Sequence, residues 1–406
     1  MFVNPTRVQK QKERNMIIKK MLKNRLLPLA ITLLIAPMAI EAQEQLNVVH
    51  TSVPSLNISP DARAAGMGDI GVATTPDAYS QYWNPSKYAF VDTKAGISFS
   101  YTPWLSKLVN DIALMQMTGF YKLGTDENQA ISASLRYFTL GKLETFDELG
   151  ESMGEAHPNE FAVDLGYSRQ LSEDFSMAVA LRYIRSDQST HNTGENQAGN
   201  AFAADIAGYL QKYVLLGNAE SLWSLGFNVK NIGTKISYDG GATSFFIPTS
   251  LNLGTGLLYP IDDYNSISFN LELSKLLVPT PPIMDQNDQA GYEAALKKYQ
   301  ETSSISGIFS SFGDAPGGLK EEFREITWGL GAEYSYDDKF FVRAGYSYLH
   351  PTKGNLQYFT AGAGFKMNIF RIDASYLLST IQSNPLDQTL RFTLAFDMDG
   401  LRNLFH

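Results

Sequence analysis

The sequence predicts an all-β protein, an outer-membrane antiparallel β-barrel of about fourteen strands with an N-terminal hatch. Three observations carry this expectation. The chain begins with a secretory-type segment, its apolar residues recur with a two-residue period, and its connections alternate between short and long.

The start sets the compartment. Arg7, Lys10, Lys12, Arg14, Lys19, Lys20, Lys23 and Arg25 form a basic run, followed by the apolar "LLPLAITLLIAPMAI" and the small-residue exit "EAQEQ". This order is that of a cleaved signal peptide over residues 1–42, with an apolar core shorter than the roughly 20 residues a spanning helix needs. Its removal leaves a chain more acidic than the full-length net charge of −9, which argues against nucleic acid as a partner. The chain has 406 residues and no cysteine, so an exported fold must rest on size or on a membrane and not on disulfides. Mean hydropathy is −0.17, and no later segment approaches a spanning helix; a closed barrel is the remaining way to cross a bilayer.

The apolar period supports the barrel. Ile267, Phe269, Leu271 and Leu273 alternate with Ser268, Asn270, Glu272 and Ser274. Trp223, Leu225, Phe227 and Val229 do the same, as do Leu390, Phe392, Leu394 and Phe396, so each strand has one apolar and one polar face. Strands are expected near 95–103, 109–123, 128–140, 159–171, 174–187, 198–213, 221–233, 245–259, 264–277, 324–336, 339–350, 356–367, 369–380 and 387–398. Connections such as "LSED" and "YDDK" are short, whereas "KLETFDELGESMGEAHPNE" and the segment after Leu277 are long. A barrel sorts its loops in this way, with short periplasmic turns and long outer loops; a water-soluble sandwich does not. Tyr259, Tyr264, Tyr334, Tyr336, Phe340, Tyr346 and Tyr348 fall at strand ends, where an aromatic girdle belongs.

Before the first strand stands "SPDARAAGMGDIGVATTPDAYSQYWNPSKYAF", residues 59 to 90, which follows neither a helical nor a strand period. A barrel of about fourteen strands is wide enough to hold such a segment as a plug that starts on the periplasmic side. Glycine pairs at 254/256, 329/331 and 362/364 lie on luminal faces, where they serve either wall curvature or close approach of the plug. The expected organisation is a signal peptide over 1–42, a periplasmic and hatch segment over 43–92, and a barrel over 93–406 with a long extracellular loop at 278–323.

The stretch "ISPDARAAGMGDIGVATTPDAYSQYWNPSKYAF" resembles the N-terminal signature of the PorV (LptO) family of the Bacteroidetes type IX secretion system, and the similarity runs on to the last strand. The resemblance implies a barrel similar to the FadL fatty-acid transporter, with Asp61, Arg63, Gly66, Gly68, Trp83, Asn84 and Pro85 as hatch residues. Asn84-Pro85-Ser86 is similar to the Asn-Pro-Ala motif of that hatch, with Ser in place of Ala. Proteins of this family bind the C-terminal signal domain of folded cargo, take it from the large translocon barrel (SprA/Sov type), and pass it to a surface attachment complex containing the PorU sortase. Outer-membrane lipid and lipopolysaccharide are the surroundings this implies.

Enzyme chemistry finds little support. His157, His191 and His350 fall in or beside surface loops with no nucleophile set against them, and the pairs Asp262-Asp263, Asp337-Asp338 and Asp397-Asp399 read as turn formers or strand ends. No Cys/His metal pattern and no cofactor motif is present. The loop from Leu277 to Arg324 is more informative. It carries a helix-compatible "QAGYEAALKKYQETSS" and then Ile305, Ile308, Phe309 and Phe312, an apolar surface suited to a protein partner or to a lid over the barrel. Trp104 and Leu105, in the first surface loop, are expected to extend it. Two functions follow: a non-catalytic carrier of type IX secretion, or a FadL-like transporter of hydrophobic small molecules. A sealed lumen beneath ordered apolar loops favours the carrier, and a lipid-binding lumen with a lateral gap favours the transporter.

Overall fold

A computed structural model describes residues 46–105, 111–146, 151–188, 197–284, 288–381, 384 and 386–398. The expected signal segment 1–42 lies outside the described residues, as does His191. The strands are β1 (Ala95–Pro103), β2 (Ile112–Leu123), β3 (Gln129–Leu140), β4 (Leu143–Phe146), β5 (Ser152–Ala156), β6 (Asn159–Gln170), β7 (Phe175–Asp187), β8 (Gly199–Leu216), β9 (Ala219–Gly233), β10 (Ser250–Pro260), β11 (Asn265–Leu276), β12 (Thr327–Tyr336), β13 (Phe340–Tyr348), β14 (Gln357–Lys366), β15 (Phe370–Ser379) and β16 (Leu390–Asp397). All except β4 and β5 form one closed antiparallel barrel, so the expected fourteen strands are present. The seam joins β1 to β16, from Gly96 opposite Asp397 to Tyr101 opposite Phe392. A ladder that returns to its start leaves no unpaired edge among hydrocarbon tails.

Burial is inverted relative to a soluble protein. Along β11, Phe269, Leu271 and Leu273 are exposed while Ser268, Asn270 and Glu272 are buried. On β16, Leu390 and Phe392 face outward and Arg391 and Thr393 inward. Apolar side chains thus form the outer band and polar ones the filled lumen, the arrangement that suits lipid outside and a plug within.

Turn chemistry fixes the short ends. Asp337 (φ 53°) and Asp338 (φ 47°) are both left-handed, as the tight hairpin between β12 and β13 requires, and the Lys339 amide donates to the Tyr336 carbonyl at 3.0 Å. Asp262 accepts the amides of Tyr264 and Asn265 at 2.9 and 2.8 Å and so closes its own turn.

Four boundaries differ from expectation. The strand expected from 245 begins at Ser250: Phe245 makes an isolated bridge with Ile236, Phe246 and Ile247 turn inward, and Pro248 has no amide to give a ladder. The strand expected from 324 begins at Thr327, because 319–324 is helical. β8 and β9 run on to Leu216 and back from Ala219, which leaves a two-residue turn where a longer one was expected. Between β3 and β6 the ribbon β4–β5 was not anticipated, since segments of four and five residues are too short for a period to show.

The largest correction concerns the N-terminal segment. Residues 47–58 lie at the loop-bearing end and not at the short-turn end. The Asn47 amide donates to Thr352 O (3.1 Å) and the Ser52 amide to Phe246 O (2.9 Å). Val53 and Leu56 share an apolar cluster with Ile184, Ala201, Ile236 and Ile247. From there the chain descends through the lumen and leaves at the short-turn end, where Lys122 Nζ donates to Val91 O at 2.7 Å just before β1. The direction follows from burial: the partners of Val53 and Leu56 include Ile236 and Ile247, which belong to the β9–β10 connection.

Candidate functional site: the luminal hatch and the loop face

Within the hatch, two short helices, α1 (Ala62–Ala65) and α2 (Ser80–Trp83), are held by a few polar groups. Asp61 caps α1 by accepting the Ala64 amide at 2.9 Å, and its other oxygen accepts from Trp83 Nε1 at 2.5 Å, so one carboxylate joins the two helices. Burial, with Asp77 adding its charge, pushes the Asp61 pKa up to about 6. Asn84 donates from Nδ2 to Val72 O (3.0 Å) and to Gly208 O on the wall (2.9 Å), while its Oδ1 accepts the Ser86 amide (3.1 Å). Pro85 then opens a 3-10 turn, a position that needs no amide.

Charge bolts the hatch to the wall. Arg63 Nη2 lies 2.8 Å from Glu333 on β12, and Nη1 lies 2.6 Å from Asp77 of the hatch. Glu333 also meets Arg343 at 2.6 Å; Arg343 reaches Asp373 at 2.8 Å, and the Tyr79 hydroxyl donates to Asp373 at 2.8 Å. Asp69 pairs with Arg391 on β16 at 3.3 Å, and Thr393 on the same strand accepts the Ala62 amide at 2.9 Å. Glu272 accepts the amides of Gly71 and Val72 at 2.8 and 2.9 Å. Lys87, whose pKa burial lowers to about 8, donates to Gly71 O at 2.9 Å and to Thr74 Oγ1 at 3.0 Å. Of these groups sequence reasoning singled out Asp61, Arg63, Trp83, Asn84 and Pro85; Asp69, Tyr79, Lys87 and the wall carboxylates were not marked.

The luminal glycines are mostly explained by this contact. A Cβ on Gly362 would come within 3.1 Å of Gly66 Cα, one on Gly254 within 3.1 Å of Ala73 Cβ, and one on Gly256 within 2.9 Å of Ala73 O. Gly329 and Gly331 face Ile70 and Met67 in the same way, whereas Gly364 makes room for Arg343 and Asp373. Gly68 has φ +84° and lies against the β12 and β13 backbone, so it needs both a left-handed backbone and no side chain. The hatch comes close to all of these glycines but Gly364, and at Gly256 the wall side chains Asn270 and Ser224 crowd the position as well.

Above the hatch is a cavity of about 270 Å³, lined on one side by Tyr82, Trp83 and Asp69 of the hatch and roofed by Leu276, Leu349 and Leu356. Lys230, Glu272 and Asn252 also line it, so charged groups stand among its apolar walls.

The β11–β12 connection is built on three helices, α3 (Gln289–Glu301), α4 (Ser304–Ser310) and α5 (Leu319–Arg324). Asp288 caps α3 and Ser303 caps α4 through the Gly291 and Ser306 amides. Gly307 lets α4 settle on Pro279 and Phe246: a Cβ there would sit 2.9 Å from Pro279. The base is clamped by a buried ion cluster in which Lys275 meets Glu322 (2.9 Å) and Glu325 (2.5 Å), and Lys353 meets Glu321 (2.5 Å) and Glu325 (2.9 Å). Asn47 donates to Glu321 at 3.2 Å, which ties the N-terminal segment to the same cluster.

On the outer face Ile305, Phe309 and Phe312 are exposed, Phe309 to 75%, while Ile308 is half-buried. Leu319 and Phe323 on α5 are more than 70% exposed as well, although sequence reasoning did not single them out. Trp104 packs instead on Ile58, Leu114 and Phe138, an inward contact, and Leu105 is half-buried beside it. Of the loop histidines, His350 has Nδ1 2.9 Å from Thr352 Oγ1, and His157 is exposed 3.9 Å from Glu155. Among the described residues no group of three His, Cys, Asp or Glu is placed to hold a metal.

Comparison with known proteins adds three findings. No curated protein matches the sequence. Similar solved structures include the Pseudomonas putida toluene transporter TodX (12% identity, TM-score 0.46, 87% of this chain and 99% of that one). Others are the Ralstonia pickettii toluene transporter TbuX (12%, 0.45, 84% and 98%) and a Pseudomonas aeruginosa FadL homologue (10%, 0.43, 87% and 99%). The family model described as "Type IX secretion system protein PorV" matches residues 41–283, more than half of the chain. With a closed barrel whose outer band is apolar, this makes the chain an outer-membrane protein that belongs to the PorV family of the type IX secretion system.

Proposed function

We propose that the protein is a non-enzymatic carrier and docking subunit of type IX secretion, exported by a cleaved signal over residues 1–42. Its loop face binds the C-terminal signal domain of cargo at the translocon barrel and delivers it to the attachment complex, while the hatch keeps the lumen shut. The observation that carries this reading is the set of exposed apolar side chains on and beside α4 and on α5, with α5 anchored through Glu321 and Glu322 in a buried ion cluster. An ordered apolar face of this kind marks a partner surface more often than a free one. The charged bolts between the hatch and the wall speak against a path for hydrophobic solutes.

The test is co-purification from detergent-solubilised outer membranes. Phe309→Ser, Phe312→Ser and Phe323→Ser combined should remove translocon and cargo, since each aromatic anchor can contribute about 1.5–3 kcal/mol when fully buried. The barrel should assemble normally, because these side chains lie outside the strand ladder. Retained partners would sink the assignment of this face.

Orientation has its own measurement. A protease site inserted at Glu151 should be cut on intact cells and one at Asp337-Asp338 protected; the opposite pattern would put the loop face in the periplasm.

A further inference from the structure

We propose that the luminal cavity is a binding site for a small monocarboxylate, with Lys230 as its charge partner. The argument begins with the charges that line the cavity. Lys275 and Lys353 are paired with glutamates, Asp69 is paired with Arg391, and Glu272 accepts two backbone amides. Lys230 is the exception. It is 6% exposed, and among the described residues no hydrogen bond or ion pair reaches its Nζ.

Its contacts are aromatic: Nζ sits 3.4 Å from the Tyr82 ring centroid and 5.9 Å from that of Trp83. A ring face stabilises an ammonium from one side and satisfies none of its N–H groups in the plane of a hydrogen bond. A buried cation left in that state is costly, and an oxyanion in the cavity would remove the cost. A second orphan lines the same cavity. Ser59 is 4% exposed, and its Oγ has no hydrogen-bond partner among the described residues.

The surroundings set the ligand class. Glu272 and Asp69 also line the cavity and would repel a dianion, so a single negative charge fits and a phosphate dianion does not. The volume of about 270 Å³ admits a short chain, and the leucines of the roof offer it an apolar contact. This is a stationary site above a closed hatch, so it does not depend on the carrier reading.

The experiment titrates acetate into the full-length protein in detergent at constant ionic strength and follows tryptophan fluorescence, with phosphate and octanoate as parallel arms. Saturable acetate binding is expected. Lys230→Met should weaken it about tenfold or more, the loss typical of a charged hydrogen bond, while Lys230→Arg should retain it. No saturation, saturation by phosphate or octanoate alone, or unchanged acetate binding in Lys230→Met would each overturn the proposal. Should Lys230→Met fail to fold, crystals of the unaltered protein soaked in 3-bromobenzoate, a monocarboxylate whose aryl bromide does not alkylate amines, decide the question. An anomalous bromine peak in the cavity supports the site, and peaks only elsewhere, or none, overturn it.

Discussion

The hatch and the β11–β12 connection are fastened by the same means and end in opposite conditions. Both rest on buried ion pairs, Arg63 on Glu333 of β12 in one case, and Lys275 of β11 and Lys353 of the β13–β14 connection on Glu322, Glu321 and Glu325 in the other. The hatch meets the wall on every side, with backbone against glycine and amides on carboxylates. The connection is clamped at its base and seated on Phe246, yet it keeps Phe309, Phe312, Leu319 and Phe323 in the open. Clamping alone therefore does not distinguish the proposed seal from the proposed docking surface; the fate of the apolar groups does.

The comparison can be broken first at the hatch. Deleting residues 59–90 should leave a barrel, because the wall ladder closes without them, and should raise conductance in planar bilayers from near zero to that of an open pore. Unchanged conductance would mean that the hatch is not the seal. A smaller effect is expected at the clamp. Lys353→Met leaves Glu321 without its lysine and Glu325 with Lys275 alone, and removing one partner of a buried pair costs about 3–5 kcal/mol. Partner co-purification should fall while heat-resistant barrel migration on gels is kept; loss of the barrel instead would make the cluster a wall element.

The smallest effect is a pH dependence. Asp61 in the folded hatch titrates near 6, above its ordinary value of 3.8, so the folded state binds the proton more tightly. Hatch stability is therefore lost as pH rises between these values and is constant above them. Asp61→Asn should flatten the pH profile of hatch opening over that window, and an unaltered profile would assign the dependence to another group.

The barrel was legible because its signal is local. A strand with lipid on one side and a filled lumen on the other writes its apolar residues at every second position, as in Ile267 to Ser274. The hatch was legible as a break in that period, and the luminal glycine pairs as an anomaly whose cause needed the structure. The bolts were not legible, since Arg63 finds Glu333 across 270 positions and nothing near either residue marks the other. The proposed docking face was half legible. The run from Ile305 to Phe312 stood out, but the exposure of Leu319 and Phe323 depends on how α5 is anchored, and Trp104 turns away because Ile58 of the descending segment offers an inward contact. The direction of that segment was hidden for a similar reason, since the residues that bury Val53 and Leu56 sit partly in a connection with no period of its own.

The seam between β1 and β16 has a consequence for how the molecule comes to exist. Its two strands are the first and last of the barrel, and their alignment must await the end of the chain. The hatch touches β16 twice, through Ala62 on Thr393 and Asp69 on Arg391, and it runs directly into β1. The last strand thus has two partners to meet, the edge of β1 and the plug. Closing the ring and completing the plug's contacts are therefore coupled, since both need β16 in place.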